Sequence, residues 1–273
     1  MIPRANITAW RHVAPWPSDE QVEQDLVLSR ALVSMFEDPS VFKGAVFRGG
    51  TALHKLYFET PGRYSEDIDL VQRDAGPIGS LVNAIRKMLD PWLGDPSWST
   101  KKDRFTLIYR FKTTFEPVRK MRLKVEINTR EHFNVLGIEG RKYSVVNPWF
   151  RGSTRIPIYQ LEELLGTKMR ALYQRKKGRD LFDMWMAVSA GEADTALVVE
   201  CFVQYMENNG TTVSRAQFES NMQGKMCDAA FLHDVRFLIS NPGDYDPHLA
   251  FELVQDKFIA LLPGRAWKGN PTK

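Results

Sequence analysis

Three carboxylates occur where the sequence predicts neighbouring β-strands. Asp67 and Asp69 are two residues apart in a stretch that alternates polar and apolar residues, so both side chains share one face of a strand. Glu126 lies on the polar face of a second predicted strand, residues 121–128, beside Lys124. Carboxylates crowded in this way need a cation, and hard oxygen ligands suit Mg²⁺ or Mn²⁺ in phosphoryl chemistry. A solvated acidic strand edge is the alternative that this pattern leaves open.

A glycine turn precedes the two aspartates. Arg48, Gly49, Gly50 and Thr51 lie between a short apolar run and a stretch of helical periodicity, for which Thr51 is a suitable N-cap. Glycines let the backbone approach an anion closely, and a helix N-terminus offers free N–H groups. The turn is therefore a candidate seat for nucleotide phosphates, although it matches neither GxxxxGK[ST] nor GxGxxG. A plain tight turn is the alternative.

A lysine interrupts the apolar stripe of a later predicted helix, residues 160–174. Lys168 follows Leu164 by four residues and precedes Leu172 by four, so it lies along the apolar face. Burying an ammonium without a partner is costly, so Lys168 either extends to the rim or enters a cleft, where it meets a triphosphate or acidic groups. Asp180 and Asp183 share one face of the next helix, where Asp180 also suits a helix start.

The hydrophobic pattern supplies elements that position these residues. A helix begins near residue 20 and ends at Asp38-Pro39, and residues 1–18 are expected to be irregular. A further helix is predicted over residues 78–93 and a strand over residues 104–115. From residue 160 onward the pattern is mostly helical. We therefore expect two domains, residues 1–154 carrying the strands and residues 155–273 carrying helices.

Composition excludes several classes of protein. The chain has 273 residues, 43% of them hydrophobic and 26% charged, which excludes wholesale disorder. With 37 Lys+Arg against 33 Asp+Glu, the net charge of +4 permits a nucleic-acid partner without requiring one. Cys201 and Cys227 form no CxxC, so neither a disulfide framework nor a cysteine zinc site is expected. No apolar run approaches ~20 residues, and no secretory leader is evident, so we expect a soluble, cytoplasmic protein without a membrane partner.

Two segments resemble a known family of enzymes. FRGGTALHKLYF (residues 47–58) followed by RYSEDIDLVQ (residues 63–72) resembles the AbiEii/AbiGii (MenT-like) toxin family of nucleotidyltransferases, in the DNA polymerase β-like superfamily. VEQDLVLSRALVSMFEDP (residues 22–39) and LLGTKMRALYQRKKGRDLFDMW (residues 164–185) are similar to other parts of the same family. The resemblance implies an α/β (α+β) bilobal fold, with an N-terminal polymerase-β-like lobe built on a mixed sheet and a helical C-terminal lobe.

The resemblance also implies roles for the residues. Asp67, Asp69 and Glu126 would hold metal, while Lys168 and an aspartate, either Asp180 or Asp183, would complete the active site. The residues that would hold the nucleotide are Arg48, Gly49, Gly50, Thr51, Ser65 and Lys168.

The implied activity is transfer of NMP from an NTP to an acceptor hydroxyl. In some relatives the acceptor is the tRNA 3′ end, and the enzyme is the toxin of a toxin–antitoxin or phage-defence system with a winged helix-turn-helix antitoxin. Two alternatives stay open: a transferase of the same fold that modifies a protein or small-molecule hydroxyl, and a catalytically silent nucleotide-binding module.

Overall fold

The computed structural model describes residues 2–191 and 193–269. The chain divides into two compact units, Met1–Tyr159 and Gln160–Lys273. The boundary predicted after residue 154 falls inside a strand that runs to the end of the first unit. No helix in the described ranges combines the length and apolar character needed to cross a bilayer.

A seven-stranded mixed sheet forms the first unit, in the order β3-β4-β5-β2-β1-β7-β6. Strand β2 pairs antiparallel with β1 and parallel with β5, so it lies inside the sheet between strands distant in sequence. The strands are β1 (Ala45–Arg48), β2 (Asp67–Gln72), β3 (Ser97–Lys101), β4 (Arg104–Lys112), β5 (Lys120–Asn128), β6 (Ile138–Asn147) and β7 (Phe150–Tyr159).

Strands β4 and β5 keep the alternation that the sequence predicts. On one face Leu107, Tyr109, Leu123 and Val125 are fully buried, while Lys124 on the other face is partly exposed. Burying each large apolar side chain contributes about 1.5–3 kcal/mol to stability. A slip of one residue would exchange the two faces and lose this contribution, so burial fixes the register.

Five helices accompany the sheet in the described part of the first unit. The predicted helix from residue 20 is confirmed, and it begins at a capping box formed by Ser18 and Gln21. The N-terminal segment is not wholly irregular, since it contains a helix whose Ile7 and Trp10 are buried. The helices are α1 (Arg4–Trp10), α2 (Asp19–Glu37), α3 (Pro39–Gly44), α4 (Gly49–Leu56) and α5 (Gly79–Leu93).

A buried ion pair ties the N-terminal segment to α4. Lys55 Nζ lies 2.7 Å from Asp25 Oδ1, and both side chains are almost fully buried. The indole of Trp10 donates to Asp25 Oδ1 at 2.8 Å, and that of Trp16 donates to Oδ2 at 3.1 Å. These hydrogen bonds satisfy the buried carboxylate, which a lone lysine would leave partly unpaired. The network therefore fixes the helix that opens at the glycine turn.

The described residues of the second unit form helices joined by turns and contain no strand, in agreement with the mostly helical pattern that the sequence predicts. Helix α6 contacts α8 and α7, and α7 also contacts α11. The helices are α6 (Leu161–Gln174), α7 (Gly178–Ala190), α8 (Thr195–Asn208), α9 (Arg215–Met226), α10 (Ala229–Leu232) and α11 (Pro247–Lys257), with short 3-10 helices at Pro242–Asp244 and Ile259–Leu261.

Candidate active site

The glycine turn between β1 and α4 is shaped around an aspartate. Gly49 has φ +83°, a conformation that residues with a side chain rarely adopt. A Cβ at this position would lie 2.5 Å from Asp69 Oδ2, well inside van der Waals contact. Glycine is therefore required here twice, by the backbone and by the carboxylate beside it. The turn and the second aspartate of the Asp-x-Asp pair form one local arrangement.

A buried arginine occupies the space beside the second glycine. A Cβ on Gly50 would lie 2.1 Å from Arg63 Nη2. Arg63 is only 3% exposed, and its Nη1 donates to the carbonyl of Tyr64 at 3.2 Å. The guanidinium thus lies against the first turn of α4, where it adds positive charge to the helix N-terminus. The sequence analysis did not single out Arg63, since no local spacing connects it with Gly50.

Thr51 links the turn to the strand of the aspartates, and it is not the N-cap. Helix α4 begins at Gly49 with Arg48 at the N-cap, so the predicted cap is wrong by three positions. The Thr51 hydroxyl donates to the carbonyl of Asp67 at 2.6 Å, and its oxygen lies 2.7 Å from Ser65 Oγ. Since Thr51 is 1% exposed, its side chain serves to hold α4 against the start of β2.

The three predicted carboxylates lie on neighbouring strands. Asp69 is the register partner of Glu126, and Asp67 is the partner of Lys124, so all four side chains share one face of the sheet. Burial raises the pKa of Asp67 to about 6; nearby Lys124 opposes the shift, while the carboxylates of Asp69 and Glu126 add to it. The part of this face at Asp67, Asp69 and Glu126 therefore concentrates negative charge.

Glu126 is held by two cations. Lys124 Nζ lies 2.6 Å from its Oε2, and Arg104 Nη1 lies 2.8 Å from its Oε1. Both contacts come from the same sheet face, since Arg104 and Lys124 alternate in phase with Glu126 on β4 and β5. The alternation placed Lys124 beside Glu126, whereas the contact with Arg104 depends on the pairing of β4 with β5.

A divalent cation fits part of this carboxylate set. Carboxylate oxygens are the ligands that Mg²⁺ and Mn²⁺ prefer, and the raised pKa of Asp67 marks a site where added positive charge is stabilising. Within residues 2–191 and 193–269, however, no three acidic, His or Cys side chains converge closely enough to hold an ion. Asp67 and Asp69 fit the role, and Glu126 would have to leave its two cations to join them.

Arg48, predicted to bind nucleotide, contacts an acidic side chain near the turn. Its Nη1 lies 2.5 Å from Glu131 Oε2, and its side chain is 22% exposed. Arg48 is also the register partner of Asp69 across the β1–β2 pair. The pairing with Glu131 fixes the last residue before the glycine turn.

In the second unit, the structure brings the predicted lysine and both aspartates together. Lys168 Nζ lies 2.9 Å from Asp183 Oδ2 and 3.3 Å from Asp180 Oδ1. Arg175 holds Asp180 with two hydrogen bonds, from Nε at 2.6 Å and from Nη2 at 2.7 Å. Both aspartates are fully buried and Lys168 is 5% exposed, so the lysine does not extend to solvent.

The cluster is electrostatically matched. Burial alone would raise the pKa of Asp180, but Lys168 and Arg175 outweigh it and hold that pKa below its usual range. Two cationic side chains, Lys168 and Arg175, thus face the two buried carboxylates. The cluster joins α6 to α7 through the turn of residues 175–177.

Comparison with known proteins identifies the family. The family model described as nucleotidyl transferase AbiEii toxin, of type IV toxin–antitoxin systems, matches residues 30–253. The chain therefore belongs to the AbiEii nucleotidyltransferase toxin family, as the resemblance of the glycine turn and the Asp-x-Asp pair indicated. It is a nucleotidyltransferase, and NTP is its class of substrate.

Solved structures have the same fold. MenT4, a nucleotidyltransferase toxin from Mycobacterium tuberculosis H37Rv, matches with a TM-score of 0.65 at 18% identity, over 96% of this chain and 90% of that one. JHP933 from Helicobacter pylori matches with a TM-score of 0.52 at 20% identity, over 86% and 89% of the two chains. At these identities the matches establish the fold, and they confirm the predicted α/β class. A comparison with curated proteins found no match.

Proposed function

We propose that this enzyme transfers NMP from an NTP to an acceptor hydroxyl at the Asp67–Asp69 pair, with the tRNA 3′ end as acceptor. The observation that carries the proposal is the turn at Gly49, which has no room for a side chain because Asp69 lies against it. A phosphate seat and a carboxylate pair adjoin each other in this arrangement, as nucleotidyl transfer requires.

The chain's own groups would bind and orient the triphosphate. Free N–H groups at the start of α4, together with the Arg63 guanidinium, provide positive charge at the turn. Thr51 and Ser65 hold α4 to β2, which keeps Gly50 and Asp67 in a fixed relation. Arg48 would add a further positive charge at the same place.

The reaction would proceed by attack of the acceptor oxygen on the α-phosphorus. The bond from the α-phosphorus to the bridging oxygen breaks, pyrophosphate leaves, and the hydroxyl proton passes to a carboxylate of the site. Mg²⁺ or Mn²⁺ bound by Asp67 and Asp69, with Glu126 as a third ligand, would supply charge stabilisation for the phosphates.

Lys168, Asp180 and Asp183 keep the roles that the family resemblance implies. We assign Lys168 to stabilisation of the triphosphate, with one of the two aspartates completing the active site. Their mutual ion pairs support a preformed cluster, because Lys168 Nζ contacts carboxylates of both.

The biological setting follows from the family. A toxin of a toxin–antitoxin system has an antitoxin, which we propose to carry a winged helix-turn-helix domain, and we assign the pair to phage defence. NTPs and tRNA are both cytoplasmic, and we place the enzyme there. Transfer to a protein or small-molecule hydroxyl is the second candidate.

A labelled-transfer assay tests the proposal. Purified protein is incubated with Mg²⁺, each α-³²P-labelled NTP in turn and total bacterial tRNA, with Asp67→Ala alongside. Label on tRNA from one NTP, absent with the variant, is the expected result. Label on the protein alone would replace tRNA with a protein acceptor, and no label in any reaction would contradict the proposal.

A further inference from the structure

The sheet face that carries Asp67 and Asp69 continues outward as a strongly basic surface. On this face of β3, β4 and β5, Glu126 is the single carboxylate within the three described strands. Seven cationic side chains share the face with it, and we call them the basic strip: Lys101, Arg104, Arg110, Lys112, Lys120, Arg122 and Lys124.

Like charges face each other directly in this strip. Arg110 is the register partner of Arg122, and Lys112 is the partner of Lys120. Directly opposed side chains on antiparallel strands lie close together, and like charges there destabilise the sheet. All four side chains are exposed. A ligand that carries several negative charges would turn these two pairs into a favourable arrangement.

The far part of the strip lacks internal neutralisation. Arg104 and Lys124 are paired with Glu126 at 2.8 and 2.6 Å. By contrast, Lys112, Lys120 and Arg122 form no ion pair with any residue that the structure describes. Their charges are available to a partner.

The extent of the strip indicates a polymer. Arg122 and Lys120 precede Lys124, the register partner of Asp67, by two and four residues, which corresponds to ~7 and ~13 Å along an extended strand. Phosphates bound directly at Asp67 and Asp69 therefore lie short of Lys120 and of its register partner Lys112. Protection of a sheet edge also uses lysines, and here residues 109–112 of β4 and 120–123 of β5 extend beyond the ends of β3 and β2 as a two-stranded ribbon. Edge protection accounts for exposed lysines, but it does not require arginine opposite arginine and lysine opposite lysine.

We propose that the basic strip binds the sugar–phosphate backbone of a nucleic-acid acceptor and leads its terminal hydroxyl to Asp67 and Asp69. The backbone binding stands on the charges of the strip, while delivery of the hydroxyl rests on the proposed function. Contacts of this kind position the nucleic acid without reading its sequence. They weaken as the salt concentration rises, because the release of counterions from the nucleic acid then contributes less entropy.

Two variants with the same net charge distinguish the effect of losing the basic strip from the effect of lowering the net charge. The strip variant carries Arg110→Gln, Lys112→Gln, Lys120→Gln and Arg122→Gln. The matched control carries glutamine at four exposed cations elsewhere in the first unit, namely Lys43, Lys87, Lys142 and Arg151. Both changes take the formal net charge from +4 to zero.

Binding of fluorescently labelled bacterial tRNA is measured by anisotropy across a range of salt concentrations. The strip variant should bind at least about tenfold more weakly, and its salt slope should be smaller by about 3 to 4, the number expected for four lost phosphate contacts. The control should bind nearly as wild type does. Thermal melting should show the strip variant as stable as wild type or more stable, because two like-charge pairs are removed.

The outcomes distinguish this proposal from the proposed function. Wild-type affinity and salt slope in the strip variant would overturn it, as would an equal loss in the control. Loss of binding to the antitoxin, with tRNA binding intact, would assign the strip to a protein partner and also overturn it. If tRNA binding depended on the strip but no NTP gave label transfer to tRNA, the proposal that the strip binds nucleic acid would stand. The proposal that tRNA is the acceptor would be wrong.

Discussion

At the scale of the residue, Gly49 lies where the proposed phosphate seat meets the carboxylate pair. The alternation of β2 and the two glycines that begin α4 allowed the positions of Asp67, Asp69 and the turn to be predicted from the sequence. The reason for the glycine could not be predicted, because it is the Asp69 side chain of a neighbouring strand. Arg63 beside Gly50 was missed for the same reason.

We expect Gly49→Ala to lose label transfer and about 1–3 kcal/mol of stability. Alanine is strained at φ +83°, and its Cβ would displace Asp69. Chemical denaturation and the transfer assay measure the two effects. Gly79→Ala is the control, since its Cβ would meet nothing within 4 Å and its φ is not positive. A Gly49→Ala enzyme as stable and active as Gly79→Ala would contradict this account.

At the scale of the element, the ion-pair cluster holds α6 against α7. Helical periodicity placed Lys168 on an apolar face and Asp180 and Asp183 on a common face. These residues meet because of the way the two helices pack. Residue spacing within one helix gives no information about that packing. The helix α1 was missed because its seven residues are too few to show a clear period.

Lys168→Met should lower the free energy of unfolding by about 3–5 kcal/mol, because it removes the ammonium that contacts two buried carboxylates, Asp180 and Asp183. Urea denaturation of this variant is compared with that of Lys177→Met, which removes an exposed lysine of the following turn. If Lys168→Met lost transfer but unfolded at the same urea concentration as Lys177→Met, the lysine would have no structural role and would act on substrate alone.

A second buried lysine gives the unit a pH dependence. Lys225 Nζ donates to the carbonyl of Leu172 and, at 2.8 Å, to that of Tyr173, near the end of α6. Burial lowers its pKa to about 8, against an ordinary value near 10.5. Between these values the unfolded chain binds a proton that the folded chain does not, so this lysine makes stability rise with pH.

Comparison of unfolding free energies at about pH 7 and about pH 10 tests this sign. From the lower to the higher pH, the free energy of unfolding should rise more, or fall less, in the wild type than in Lys225→Met. Lys177→Met should show the same pH response as the wild type. An equal pH response in Lys225→Met and wild type would mean that Lys225 keeps an ordinary pKa in the folded protein.

At the scale of the whole molecule, the composition gives the net charge but not the place where the cationic side chains gather. A net charge of +4 merely permits a nucleic-acid partner, whereas the register of β3, β4 and β5 gathers seven cations on one face. The sheet order could not be predicted either, since β2 pairs with β5 across 47 intervening residues of other structure. The family resemblance supplied the fold class that local patterns could not.

The central claim is that the Asp67–Asp69 pair performs nucleotidyl transfer. It is tested most directly by initial rates of label transfer from α-³²P-NTP to tRNA for wild type, Asp69→Asn and Asp74→Asn. The last variant removes the same charge from an exposed position just beyond β2. We predict transfer at background level in Asp69→Asn and near the wild-type rate in Asp74→Asn, with both variants folded by thermal melting. A folded Asp69→Asn enzyme that transfers label near the wild-type rate would contradict the account.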